Sequence, residues 1–133
     1  MAAMPQATSA KVRPPVPAAA GAAVRPRIRV LRDGEIALGP GKVALLAAVA
    51  EHGCLATAAR ALGMSYMRAW RLVQTMNACF REPLVATRRG GRGHGGAALT
   101  AAGSAVLALY RRMEQESLAA IAAAWRELRG YLV

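Results

Sequence analysis

Apolar residues recur along this chain in distinct rhythms, and each rhythm predicts a different element. Across residues 27–39 they alternate: Ile28, Val30 and Leu31 precede Asp33-Gly34, and Ile36 and Leu38 follow. Asp-Gly between two short apolar runs signals a β-hairpin, because both turn residues tolerate positive φ. Gly39-Pro40-Gly41 then breaks the chain, after which Val43, Leu45, Leu46 and Val49 fall at helical spacing up to Glu51-His52. Gly53 stands where a left-handed glycine stops a helix. A short helix over residues 56–62 turns Ala58, Ala59 and Leu62 inward, and its alanines let another helix cross closely. Gly63 supplies a sharp turn, since a residue without Cβ takes positive φ at little cost. Met64 is expected to be buried under that turn.

The next helix, residues 65–80, has two unlike faces. At about 100° per residue, Tyr66, Ala69, Trp70, Val73, Met76, Asn77 and Phe80 share one arc. Arg68, Arg71 and Thr75 lie opposite. Ser65 can cap this helix by accepting from its free N–H groups. Pro83 ends the unit. Residues 84–88 read as a strand, the loop 90–96 as a glycine-rich hairpin tip, and Ala97–Leu99 as the return. Thr100 caps a last helix over residues 101–128, whose inward stripe is Val106, Leu109/Tyr110, Met113, Ile121, Trp125 and Leu128. Leu107 and Leu118 begin a second stripe beside it. Helix, tight turn, helix and basic hairpin make the layout of a winged helix-turn-helix. The expected class is mainly α with small β hairpins, ending in a long C-terminal helix.

That last helix, ~42 Å long at 1.5 Å per residue, exceeds what so small a domain can cover. Its first part should pack on the domain and the rest against a second copy, antiparallel or crossed. The alternative is a monomer whose helix folds back on its own hairpin. Pairing is the economical solution, because two groove-reading helices must stand about 34 Å apart to reach successive major grooves. The division expected along the chain is a disordered, basic Ala/Pro-rich arm over 1–24, a winged helix-turn-helix DNA-binding domain over 25–100 and a dimerisation helix over 101–133.

Charge sharpens this picture. The 133 residues carry a formal net charge of +11, with a sequence pI near 11.4. Such an excess points to an acidic polymer, most simply double-stranded DNA, with an anionic membrane surface as the rival. Between Cys54 and Gly96 stand Arg60, Arg68, Arg71, Arg81, Arg88, Arg89 and Arg92, against Glu82 alone. The charge therefore gathers where groove-reading geometry is expected. With Arg25 and Arg27, the arm's Lys11 and Arg13 give the first 27 residues four positive charges, so the arm adds either nonspecific DNA affinity or an inert tail. No apolar run reaches the ~18 residues a membrane span needs. Prolines and alanines replace the leucine-rich core of a secretion signal, so a cytoplasmic protein without membrane association is expected.

Candidate chemistry elsewhere is weak. Gly91-Arg92-Gly93-His94-Gly95-Gly96 fits a dinucleotide fingerprint in letters, but such a loop must open directly into a helix, and Ala97–Leu99 intervenes. A P-loop is excluded because no Lys-Ser/Thr follows. Cys54, Cys79, His52 and His94 lack the close paired spacing of zinc ligands, so no metal or other cofactor is expected. No nucleophile, carboxylate pair or metal cluster is placed for catalysis, and an enzyme is not expected. The candidate DNA-binding residues are Ser65, Tyr66, Arg68, Arg71 and Thr75 on the second helix, with Arg88, Arg89, Arg92 and His94 on the wing.

A resemblance adds to these readings. The segments Leu38-Gly39-Pro40-Gly41-Lys42, Glu51-His52-Gly53, Ala58 to Tyr66 with Gly63-Met64-Ser65, Arg68-Ala69-Trp70, Met76-Asn77, Leu84-Val85, the 90–96 loop and Leu99-Thr100 with Gly103 resemble the N-terminal domain of ModE-type molybdate-responsive transcriptional regulators, which are LysR-like winged helices. The likeness spans about residues 28–113. It implies that Ser65, Tyr66, Arg68 and Arg71 belong to a recognition helix and residues 88–94 to a wing. The hairpin near residues 28–38 and the last helix then form a dimer scaffold. Cys54 stands where a serine is common, Met67 where a lysine is common, and His94 interrupts a glycine run. Full-length members carry C-terminal molybdate-binding domains that have no counterpart in this sequence, so no molybdate site is expected in this chain. The implied function is sequence-specific regulation of molybdenum-related genes. The alternatives are an accessory partner of a full-length regulator or a nonspecific architectural DNA binder.

Overall fold

A computed structural model describes residues 21–88 and 95–133. The described residues form β1 (Val30–Arg32), β2 (Glu35–Leu38), α1 (Pro40–His52), α2 (Leu55–Ala61), α3 (Tyr66–Cys79), β3 (Val85–Thr87), β4 (Ala97–Leu99) and α4 (Ala101–Arg129). β1 and β2 pair antiparallel around Asp33 and Gly34, both at positive φ (49° and 81°), as the Asp-Gly signal requires. α1 begins at Pro40 itself, with Gly39 extended as its N-cap, so the Gly-Pro-Gly run opens the helix instead of preceding it. Proline suits that first position because its missing N–H has no partner in a first turn anyway. Gly53, at φ 65°, closes α1 by donating its N–H to Val49 O.

The core lies where α1, α2 and α3 meet. Leu45, Leu46 and Val49 from α1 pack with Leu55, Ala58 and Ala59 from α2 and with Ala69, Val73 and Met76 from α3. α2 starts one residue earlier than the helix expected over residues 56–62, with Leu55 buried in this core. Met64 is only half-buried under the turn. The cysteines Cys54 and Cys79 are free and half-buried. β3 and β4 form a second antiparallel hairpin, with Val85 opposite Leu99 and Thr87 opposite Ala97. The Ala97 N–H donates to Gly53 O, which ties this hairpin to the end of α1. Helix, turn, helix and hairpin compose a winged helix-turn-helix with a long helix after the wing.

α4 is bolted on at its first turns. Thr100 Oγ1 accepts the Gly103 N–H at 3.0 Å, the cap expected of it. The same hydroxyl donates to Pro83 O at 2.6 Å. A Cβ at Gly103 would land on the Leu84 carbonyl oxygen, so this approach admits only glycine. Below it Leu107 and Tyr110 are buried, and Tyr110 Oη donates to Ile28 O at 2.7 Å. Burial holds the Tyr110 phenol above its ordinary pKa. The inward stripe is therefore Gly103, Leu107 and Tyr110, whereas Leu109, Met113 and Leu128 face outward. The reason is the glycine: its close approach fixes the rotation of the helix, and Leu107, four residues on, follows it inward.

Residues 21–28 lie along α4 in an alternating pattern of exposed and half-buried side chains. Val24 sits beside Leu118 and Trp125, and Ile28 meets Tyr110, so this segment runs antiparallel to the helix. Residues 1–20 of the expected arm lie outside the described residues. No described helix is long and apolar enough to cross a membrane.

Candidate nucleic-acid interface

The turn between α2 and α3 sets the site. Gly63 adopts φ 67°, and Met64 N–H donates back to Ala59 O at 3.0 Å, which closes the connection into a fixed angle. Ser65 then caps α3: its Oγ accepts the Arg68 N–H at 3.1 Å. At the start of α2 Cys54 closes no such side-chain cap. The Thr57 N–H and hydroxyl nearby nevertheless favour its thiolate, and they hold the thiol below its ordinary pKa.

α3 buries a narrow stripe, Ala69, Val73 and Met76, with Leu72, Asn77 and Cys79 half-buried beside it, and exposes the rest. Arg68 and Arg71 are exposed, as their arc required, and neither pairs with an acid among the described residues. Thr75 is exposed, with its hydroxyl proton donated to Arg71 O at 2.9 Å. That leaves its lone pairs, not its proton, for a ligand. Two side chains assigned to the inner arc stand outside it: Trp70 is 42% exposed and Tyr66 52%. Ala58, Ala59 and Ala69 are all fully buried in the core where α2 and α3 pack, and small residues there let the helices approach closely and leave little room for bulky neighbours. Bulky residues on the shoulders of the arc are therefore displaced into solvent.

Asn77 has a role that its place on the apolar arc did not suggest. Its Oδ1 accepts the Leu84 and Val85 N–H groups at 2.8 and 3.2 Å, and its Nδ2 donates to Val85 O at 3.1 Å. One amide thus pins the first strand of the wing to the end of α3. An asparagine among apolar neighbours just ahead of a proline was the available signal: it can satisfy the backbone of a chain that turns back on its own helix. From β1, Arg32 donates to Cys79 O at 3.0 Å and holds the other side of the same helix end.

Arg88 leaves β3 exposed, and its N–H donates to Gly96 O at the base of the wing. Arg89, Arg92 and His94 lie outside the described residues. Ser65, Tyr66, Arg68, Arg71 and Thr75 are brought together on one helix, with Arg88 on the adjoining hairpin. The described residues hold no cluster of three or more His, Cys, Asp or Glu side chains that could bind a metal ion.

Comparison with known proteins agrees with this geometry. Residues 41–104, from α1 to the first turn of α4, match the model of the bacterial regulatory helix-turn-helix protein, lysR family. The chain is 43% identical over 83 residues to the molybdenum-pterin-binding protein MopA of Rhodobacter capsulatus, a stretch covering 62% of this chain and 31% of that protein. It is 37% identical over 95 residues to the molybdenum transport protein ModE of Azotobacter vinelandii, covering 71% of this chain and 35% of that one. The chain thus spans about a third of the length of these relatives. A crystal structure of the CbnR DBD–DNA complex is 32% identical, with a TM-score of 0.48, over 66% of this chain and 93% of that one. Residues 41–104 are thus similar to the lysR family of bacterial regulatory helix-turn-helix proteins.

Proposed function

We propose that this chain is a cytoplasmic, non-catalytic transcriptional regulator that binds double-stranded DNA in a sequence-specific manner and acts on molybdenum-related genes. The carrying observation is the arginine face of α3, free of acidic partners among the described residues and aimed outward by the turn at Gly63. α3 enters the major groove, where Arg68 and Arg71 hydrogen-bond guanine edges or phosphates. Ser65, Tyr66 and Thr75 add contacts from the same helix. Arg88, with Arg89, Arg92 and His94 on the wing, follows the backbone alongside. The molybdenum connection rests on the names of the relatives, MopA and ModE. Two copies pair through the outer part of α4, whose Leu109, Met113 and Leu128 are exposed.

Salt titration of binding tests the first part. A specific binder retains a preference of ~10³ or more over random duplex, while its affinity falls by a slope of about 0.9 per phosphate neutralised. Arg68→Ala is expected to relax base preference at one position and weaken the selected site by about 1–3 kcal/mol. Equal losses on selected and random DNA would remove the groove-reading role. Genome-wide occupancy, with and without molybdate in the medium, tests the regulon. Sedimentation as a monomer at micromolar concentration would remove the pairing.

A further inference from the structure

The groove-facing half of α3 is more apolar than groove-reading by arginine needs. Tyr66, Met67 and Trp70 are all large, and they are exposed by 52%, 53% and 42%. They are contiguous, since residues three and four apart on a helix are neighbours. Met67 also adjoins Arg71 one turn on, so the apolar patch and the cationic one form a single surface. Nothing described in this chain covers that patch, although α4 and α1 elsewhere bury side chains of the same size. The N-terminal half of a recognition helix is the part that meets base edges. The one apolar group on the floor of the major groove is the 5-methyl of thymine.

We infer that Met67 and Trp70, with the Tyr66 ring beside them, read thymine 5-methyl groups, and that the sites this chain selects carry T·A pairs next to the pairs contacted by Arg71. The occupant is a DNA duplex and not an apolar protein surface, because Arg68 and Arg71 flank the patch with no acidic partner among the described residues. The hydrogen-bonding contacts then come from the guanidinium groups, and the apolar side chains distinguish thymine from cytosine by a methyl that cytosine lacks. This rests on α3 being the groove-reading helix.

The test begins with the full chain and a pool of random-sequence duplexes. The enriched site is then remade with deoxyuridine for thymidine, one position at a time, which removes the methyl and keeps the pairing. Loss of about fourfold in Kd at one to three adjacent positions is expected, the factor that one buried methyl-sized group is worth. Met67→Ala and Trp70→Ala should abolish that discrimination while leaving the guanine preferences unchanged. The deoxyuridine series uses the unaltered protein, so it stands even if Trp70→Ala folds poorly. An enriched site bound equally well with uracil throughout overturns the inference and leaves groove reading by arginine intact. Failure to enrich any sequence overturns both.

Discussion

α1 and α3 are nearly equal in length, yet they spend their large apolar side chains in opposite ways. α1 turns Val43, Leu45, Leu46 and Val49 into the core and keeps no large hydrophobic residue exposed. α3 buries Ala69, Val73 and Met76 but leaves Tyr66, Met67 and Trp70 in water. Exposing such groups forgoes about 1.5–3 kcal/mol for each side chain that could have been buried. A helix that only holds the fold has no reason to do so. The contrast separates a scaffold helix from the helix proposed to read DNA without reference to any sequence motif.

Substitutions on the two helices should split accordingly. Leu45→Ala is expected to have the largest effect, costing about 2–5 kcal/mol of unfolding free energy in urea titrations. DNA affinity of the fraction still folded should be unchanged; a selective binding defect would erase the distinction between the helices. Asn77→Leu, on the inner side of α3, leaves the Leu84 and Val85 backbone groups without partners and should cost about 2–3 kcal/mol. It should also free the base of the wing, which amide exchange at Val85 would detect. Ser65→Ala removes the cap of α3 and should cost about 1 kcal/mol. Arg71→Ala should shift stability by no more than about 0.5 kcal/mol, as befits an exposed face, while weakening DNA binding. A large drop in melting temperature for that variant would mean that the outer face of α3 is structural after all.

Much of this architecture was legible because its signals are local. Asp33-Gly34, Gly53, Gly63, Ser65 and Thr100 each act within a few residues of themselves, and each took the conformation or cap its chemistry calls for. What escaped depends on partners distant in sequence. The rotation of α4 is set by Gly103 meeting the Leu84 backbone, which no helical wheel contains. Trp70 looked internal because the wheel gives direction but not the width of the neighbouring surface. Asn77 was hidden for the same reason: its partners lie on a strand seven and eight residues later. Among candidate site residues, Arg68 and Arg71 were readable from periodicity. The exposure of Tyr66 was not.

The seat of Gly103 on Leu84 acts as a fulcrum. A rod of 29 residues, ~43 Å long, makes its closest backbone approach to the winged domain here. A swing of about 10° there carries its tip ~7 Å, two base-pair steps of the double helix. In a paired regulator, the distance between the two DNA segments it can grip would thus be governed by a side chain of one hydrogen atom.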